Sequence, residues 1–386
     1  MEDMIYLDNS ATTFPKPPEV YDFMDSFYRK FGVNPGRSGY DMCMATEEII
    51  HGTRKKLTAL FNGNNPHCLT FSYNASDSLN MLIQGLAEKG DHVVTTCLEH
   101  NSVLRPLYHL EQQGLIEVSY VPFDNFGYVN PEDIDAAIKP NTKMVIVNHG
   151  SNVIGTVQPA AEIGAVCKKR DVLFIMDVSQ TAGAVPVDVQ AMHADAVVFT
   201  GHKCLMGPTG IGGAYCREDL PVRSTRYGGT GVRSAQRTHL SEWPYRLECG
   251  TLNSVGVAGL HAGQLWLEKE GLKNIHAREM ALWVKLRDGL EKIEGVTTFC
   301  AQHPDNHIAV LSFVMEGMEP ADVGTMLDVD YNIACRTGLQ CAPLVHETLG
   351  TADKHGTVRF SIGPFNTEAH IDTAIEAIED IASIPR

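Results

Sequence analysis

Short apolar runs rich in β-branched residues alternate with helical patterns through the middle of this chain. Runs that are apolar on both faces and alternate with helices are typical of a mainly parallel sheet covered on both sides. The predicted strands lie at 92–96, 143–148, 172–176 and 196–199, and the predicted helices at 78–86, 105–112, 131–138 and 161–170. This alternation predicts an α/β fold.

The pattern changes after about Asn253. Two long helical stretches at 255–271 and 276–293 lead into strands at 308–313 and 357–361, with helices at 320–327 and 368–381. This mixture predicts a smaller α+β domain. We therefore expect a large α/β domain at 15–255 and a small domain formed by 1–14 plus 256–386, joined by a helix.

Composition excludes several classes of protein. A net charge of −16 argues against a general affinity for nucleic acid or an anionic membrane. No apolar run approaches the roughly 20 residues of a membrane span. The ten cysteines are scattered without a C-x-x-C pair, so neither a metal site nor a redox dithiol is predicted. The acidic start of the chain is unlike a signal peptide, and we expect a cytoplasmic protein with reduced thiols.

Two predicted strands end in residues suited to one ligand. The strand at 172–176 ends in Asp177, and the strand at 196–199 leads into Thr200-Gly201-His202-Lys203. Taken alone, a lysine after a strand is usually a surface charge, and an aspartate there is usually a helix cap. Together they form the arrangement that holds pyridoxal phosphate. The lysine attaches the cofactor, and the acid keeps the pyridine nitrogen protonated so that the ring accepts electrons.

Polar groups also follow the other predicted strands. Asn74-Ala75-Ser76 opens a helix, where it either binds a phosphate or only caps the helix. His100 follows the strand at 92–96, where it either stacks on a planar ring or hydrogen-bonds within a loop. Asn152 follows the strand at 143–148. Because ligands of parallel α/β sheets bind at the carboxyl ends of the strands, all these groups suit one site.

These segments resemble the class V aminotransferase-like family of pyridoxal-phosphate enzymes, and within it the cysteine desulfurases and selenocysteine lyases. The resemblance covers nearly the whole chain. Its segments are residues 6–13, 200–203, 207–212, 250–253, 336–341 and 358–361. The segment Arg336-Thr337-Gly338-Leu339-Gln340-Cys341 separates desulfurases from aminotransferases. The family has pyridoxal-phosphate fold type I, with a mainly parallel large domain and a smaller α+β domain.

The resemblance implies a role for each candidate residue. Lys203, Cys341 and His100 are the expected catalytic residues, with His100 stacked on the cofactor ring and Cys341 accepting sulfur. Asp177 pairs with the ring nitrogen, and Gln180 contacts the ring hydroxyl. Asn152 and Arg359 bind the substrate carboxylate, and Asn152 also touches the cofactor. The phosphate is held by Ala75, Ser76, Thr200, His202 and the partner subunit's Thr251.

The implied activity is conversion of L-cysteine, or of L-selenocysteine, to L-alanine, with a persulfide formed on Cys341. A homodimer and a sulfur-accepting protein are the implied partners. Two alternatives remain: another class V enzyme such as an aminotransferase, epimerase or cysteine-sulfinate lyase, or a catalytically silent sulfur-carrier scaffold. A nicotinamide enzyme is excluded because no G-x-G-x-x-G follows the first strand.

The chain departs from the family pattern at two places. Asn74-Ala75-Ser76 stands where relatives have a Gly-Thr-Thr type of phosphate turn, which removes one hydroxyl. Leu339 and Gln340 precede Cys341, where the desulfurases usually carry histidines. His346, five residues beyond Cys341, is expected on the surface of a helix or loop, and Cys335 is expected in a buried strand.

Overall fold

The computed structural model describes residues 4–35 and 40–384. Its strands are β1 (Ile5–Tyr6), β2 (Leu69–Ser72), β3 (Asp91–Thr96), β4 (Ile116–Val121), β5 (Thr142–Asn148), β6 (Leu173–Asp177), β7 (Ala196–Thr200), β8 (Gly212–Cys216), β9 (Val296–Thr298), β10 (Val310–Met315), β11 (Ile333–Ala334), β12 (Arg336–Gly338) and β13 (Thr357–Ser361). Its helices are α1 (Pro18–Phe31), α2 (Asp41–Leu60), α3 (Ala75–Leu86), α4 (Asn101–Gln112), α5 (Pro131–Ala137), α6 (Ala160–Arg170), α7 (Ser254–Glu270), α8 (Leu272–Leu290), α9 (Pro320–Tyr331), α10 (Pro343–Leu349) and α11 (Glu368–Ser383).

A seven-stranded sheet in the order β2-β8-β7-β6-β5-β3-β4 forms the centre of the fold. The strands β7, β6, β5, β3 and β4 pair in parallel, whereas β8 runs antiparallel to both of its neighbours. The predicted α/β class and the mainly parallel sheet are therefore confirmed.

Alternate residues of the central strands enter different hydrophobic cores. In β5, Val145 and Val147 pack in one core, whereas Met144 and Ile146 pack in the other. Successive side chains of a strand point to opposite faces, so both faces of this sheet are covered. This arrangement explains why the sequences of the central strands are continuous apolar runs rather than alternations of polar and apolar residues.

A second, antiparallel sheet in the order β12-β13-β10-β9 lies in the C-terminal part of the chain. Trp283 and Phe313 belong to its separate core, together with Ile5 and Leu7 from the N-terminal segment. The strand β1 pairs in parallel with β11. Helix α7 packs against α1 and α2, and its Val257 lies in the core of the large sheet. The domain boundaries at 15–255 and 256–386 stay a prediction.

Within 4–35 and 40–384, no helix is both long enough and apolar enough to span a bilayer. All ten cysteines lie in this part of the chain, and each is an unpaired thiol.

Candidate active site

The parallel strands converge on a cavity of about 330 Å³ at their carboxyl ends. Sites for small ligands and cofactors typically have volumes of roughly 300–1,000 Å³. Nearly all predicted site residues line this cavity, namely Ala75, Ser76, His100, Asn152, Asp177, Gln180, Thr200, His202, Lys203, Cys341 and Arg359. The structure thus brings the candidates together, and their individual roles stay predictions.

Thr251 is the predicted site residue that does not line this cavity. It lies instead beside a small separate cavity of about 40 Å³, near Tyr73 and Glu248. The family resemblance implies that Thr251 reaches the site of a partner subunit, and its place outside its own subunit's cavity is compatible with that role.

Lys203 and Asp177 occupy neighbouring parallel strand ends. Burial lowers the pKa of Lys203 to about 8, while the negative charge of Asp177 acts in the opposite direction. Asp177 is buried, and its Oδ1 accepts hydrogen bonds from the backbone N–H of Ser179 at 2.9 Å and from its hydroxyl at 2.5 Å. Ser179 therefore fixes the orientation of the carboxylate that is expected to face the pyridine nitrogen.

His100 caps the N-terminus of α4 with its ring. Its Nδ1 accepts a hydrogen bond from the backbone N–H of Ser102 at 3.0 Å, so the neutral ring carries its hydrogen on Nε2. Burial, followed by the charge of Lys203, lowers the pKa of His100 to about 4, which keeps the ring neutral. The hydroxyl of Ser102 lies 2.8 Å from Nδ1 and 2.5 Å from the hydroxyl of Ser76. Ser102 thus connects His100, which is expected to stack on the cofactor ring, to Ser76, which is expected to bind the phosphate.

The cavity wall offers polar groups that suit a phosphate. Ala75 and Ser76 are the first two residues of α3, whose free N–H groups favour an anion. Asn74 is the N-cap and accepts a hydrogen bond from Asp77. The Thr200 hydroxyl and Nδ1 of His202 are buried and have no hydrogen-bond partner among the described residues. Because buried polar atoms normally have partners, these two atoms fit the phosphate of a bound cofactor.

Asn152 and Arg359 both line the cavity and are in direct contact. Arg359 is buried; it donates from Nη1 to the backbone oxygen of Asn152 at 2.8 Å and from Nη2 to Oδ1 of Asp8 at 2.6 Å. Two bonds use only part of the donor capacity of a guanidinium, which has five N–H groups. The buried Oδ1 of Asn152 has no partner within the described ranges. Gln180 donates to the backbone oxygen of Ser10 at 3.0 Å.

Cys341 lies in a turn at the rim of the cavity and is exposed. Leu339 and Gln340 separate it from the end of β12, and Ala342 separates it from α10, as expected for a loop that delivers a thiol. Its backbone oxygen accepts a hydrogen bond from the N–H of Asn101 at 2.7 Å. The cysteine is therefore close in space to the beginning of α4, where His100 is the cap.

Two expectations about neighbouring residues are wrong. His346 is buried rather than on the surface, and its Nδ1 lies 2.9 Å from the Thr351 hydroxyl, because α10 turns this side chain into the core. Cys335 is half-buried and lies between β11 and β12 instead of within a strand. Sequence reasoning also left Ser102 and Asp8 without roles, although Ser102 lies two residues after His100 and Asp8 lies within the segment 6–13.

The fold and the site define the class of protein. The chain matches the family Aminotransferase class-V over residues 5–373, and it belongs to that family. Its mainly parallel sheet with a smaller antiparallel sheet is pyridoxal-phosphate fold type I, as predicted.

The curated relatives are cysteine desulfurases, which form one branch of this family. A protein named "Probable cysteine desulfurase" from Methanothermobacter thermautotrophicus is 33% identical over 389 residues, covering 100% of this chain and 96% of that relative. "Cysteine desulfurase IscS" from Clostridium botulinum is 31% identical over 405 residues, covering 99% of this chain and 95% of the relative. The predicted resemblance to cysteine desulfurases is therefore confirmed.

Solved structures agree with the sequence relatives. An apo structure of a cysteine desulfurase from Thermococcus onnurineus has a TM-score of 0.93 and 32% identity, covering 99% of this chain and 95% of that one. The Escherichia coli cysteine desulfurase CsdA has a TM-score of 0.88 and 27% identity, with coverage of 99% and 95%.

Proposed function

We propose that this protein is a pyridoxal-phosphate-dependent cysteine desulfurase. It converts L-cysteine to L-alanine and retains the sulfur as a persulfide on Cys341. The observation that carries the proposal is an exposed thiol at the rim of the cavity that also holds Lys203 and Asp177. Aminotransferases and epimerases of the same fold use the lysine and the acid but have no use for a nucleophilic cysteine.

The residues present fit the cofactor. Lys203 would hold it covalently, Asp177 would face its ring nitrogen, and Gln180 its ring hydroxyl. The unpartnered Thr200 hydroxyl and Nδ1 of His202, with the N-terminus of α3 at Ala75 and Ser76, would hold its phosphate. When bound, the cofactor supplies an electron sink that weakens the bonds at the substrate α-carbon and then the carbon–sulfur bond.

Arg359 and Asn152 are proposed to bind the substrate carboxylate. Arg359 is already oriented by Asp8 and by the Asn152 backbone oxygen, so it loses little freedom when it binds an anion. Lys203, whose pKa is lowered to about 8 by burial, is suited to take the α-proton near neutral pH. His100 presents Nε2–H as a hydrogen-bond donor beside the same site.

Cys341 is proposed to act as a thiolate, since the thiolate is the nucleophilic form. It attacks the substrate sulfur and forms the sulfur–sulfur bond of a persulfide. The electron pair of the broken carbon–sulfur bond stays with the carbon, which is protonated to become the methyl group of alanine. The persulfide is then available to an acceptor at the surface, because Cys341 is exposed.

We further propose that the enzyme works as a homodimer in the cytoplasm, with a sulfur-accepting protein as its partner. The net charge of −16 disfavours nucleic acid and anionic membranes as partners. Ten unpaired cysteines suit a reducing compartment. L-Selenocysteine is a second candidate substrate, since its leaving group needs the same cofactor chemistry.

The test is incubation of the purified protein with L-cysteine under reducing conditions, measuring alanine and sulfide together. We expect equal amounts of both products and added sulfur on the Cys341 peptide by mass spectrometry. Cys341→Ala is expected to retain the cofactor absorbance and to lose most alanine formation from cysteine, while turnover of L-cysteine sulfinate survives. Wild-type turnover of cysteine by Cys341→Ala without persulfide would instead support the aminotransferase or lyase alternative. Absence of cofactor absorbance would support the silent scaffold.

A further inference from the structure

Gln340 stands beside the proposed nucleophile, and its side chain is hydrogen-bonded to another segment of the chain. Its side-chain Nε2 donates to the backbone oxygen of Thr357 at 3.0 Å and to the Thr357 hydroxyl at 3.1 Å. Both residues are buried, and Thr357 is the first residue of β13. The side chain therefore joins the cysteine turn to the small sheet.

The peptide groups on both sides of Cys341 are also held. The backbone oxygen of Gln340 accepts a hydrogen bond from Nδ2 of Asn152 at 2.8 Å, and the backbone oxygen of Cys341 accepts one from Asn101 at 2.7 Å. Asn152 follows β5, and Asn101 begins α4, so these two bonds attach the same turn to the large sheet.

The backbone of the turn is unfavourable without such bonds. Gln340 has φ of 42° and Cys341 has φ of 59°, and both carry a Cβ atom. Two consecutive non-glycine residues in the left-handed region persist only where surrounding contacts hold them. The Gln340 amide and the Asn152 and Asn101 contacts supply that constraint.

We propose that Gln340 is a positioning residue whose side-chain amide holds the Cys341 turn, so that the thiol faces the cavity. The inference rests on the proposed desulfurase function. It assigns a role to Gln340, one of the two residues before Cys341 at which this chain departs from the family pattern. Cys341 then reaches the substrate sulfur by side-chain rotation on a fixed backbone, rather than by movement of the loop.

The test compares Gln340→Met, which keeps the side-chain volume but removes both N–H donors, with Leu339→Ala as the matched control. Leu339 lies in the same turn and is exposed. For Gln340→Met we expect the kcat for L-cysteine desulfuration to fall about tenfold or more, with KM and the cofactor absorbance nearly unchanged. Turnover of L-cysteine sulfinate, which needs no thiol, should stay within about twofold of wild type.

Hydrogen–deuterium exchange provides a readout that is independent of activity. Amides of residues 339–342 should exchange about tenfold faster in Gln340→Met and at the wild-type rate in Leu339→Ala. Equal losses of cysteine and sulfinate turnover, an unchanged cysteine rate, or unchanged exchange would each overturn the positioning role. If Gln340→Met does not fold, Thr357→Val, which removes one of the two acceptors, is measured in its place and judged by the same comparisons. A wild-type protein that produces no sulfide refutes the desulfurase function itself, whatever the exchange experiment shows.

Discussion

Asp177 is held by two hydrogen bonds from Ser179, and a carboxylate fixed in this way is suited to keep a pyridine nitrogen protonated. We predict that Asp177→Asn binds the cofactor but loses roughly 10²–10⁴ in kcat, since a neutral amide cannot keep the ring protonated. Ser179→Ala, which removes only one of the two bonds, serves as the control and should lose much less. A loss below about tenfold for Asp177→Asn would show that another residue faces the ring nitrogen.

Lys203 has a pKa lowered to about 8, chiefly by burial. Below that pH the amine is protonated and cannot attach the cofactor; above it the amine is neutral. The rate of cofactor uptake by apo-protein should therefore rise about tenfold per pH unit and level off near pH 8. The rise is measured from the growth of the absorbance of the covalently bound cofactor. Lys203→Ala should show no such absorbance at any pH, and a flat profile in the wild type would contradict the assignment.

At the scale of secondary-structure elements, a buried ion pair fixes α2 and β2 to the segment before α7. Arg54 donates to both carboxylate oxygens of Glu248 at 2.8 and 2.7 Å, and Glu248 also accepts from the backbone N–H of Phe71 at 2.6 Å. Both charged side chains are buried, with relative exposures of 7% and 6%.

We predict that Glu248→Ala lowers the free energy of unfolding by about 3–5 kcal/mol, because it leaves the Arg54 charge buried without its carboxylate. Urea unfolding measures the change. The matched control is Glu117→Ala, which breaks an exposed pair with Lys139 and should lower the free energy of unfolding far less. Equal effects of the two substitutions would mean that burial of the Arg54 pair is unimportant for stability.

At the scale of the whole molecule, the proposed homodimer makes each active site depend on two subunits. Thr251 lies beside a separate cavity of its own subunit, which is compatible with its predicted phosphate contact in the partner's site. We predict that Thr251→Ala and Lys203→Ala are each impaired in L-cysteine turnover. Mixing the two variants after mild dissociation should restore activity in about a quarter of all sites, because each mixed dimer contains one intact site.

Sedimentation of the mixture should show dimers, and each variant treated alone serves as the control. A fully active monomer, or failure of the two variants to complement each other, would contradict the contribution of Thr251 across the interface.

Most of the large sheet, and the set of residues at its edge, can be predicted from local sequence alone. The strands β5, β6 and β7 are apolar on both faces and β3 is rich in Val and Thr, so local composition alone distinguishes them. Chain connectivity places Asp177, Thr200 and Lys203 at the carboxyl ends of β6 and β7. The strand β8 escaped prediction because it begins with Gly212-Gly213, which local propensity places in a turn. A Cβ at Gly213 would collide with the backbone oxygen of Thr70, so close packing requires glycine there.

The contacts that orient these residues arise only when the chain is folded. The bonds from Ser102 to His100, from Arg359 to Asp8 and from Gln340 to Thr357 involve Ser102, Asp8 and Gln340, which sequence reasoning left without roles. His346 was expected at the surface, yet the packing of α10 buries it. Local sequence predicts where a strand or turn lies, whereas the direction and partner of a side chain depend on segments that folding brings together from far apart in the chain.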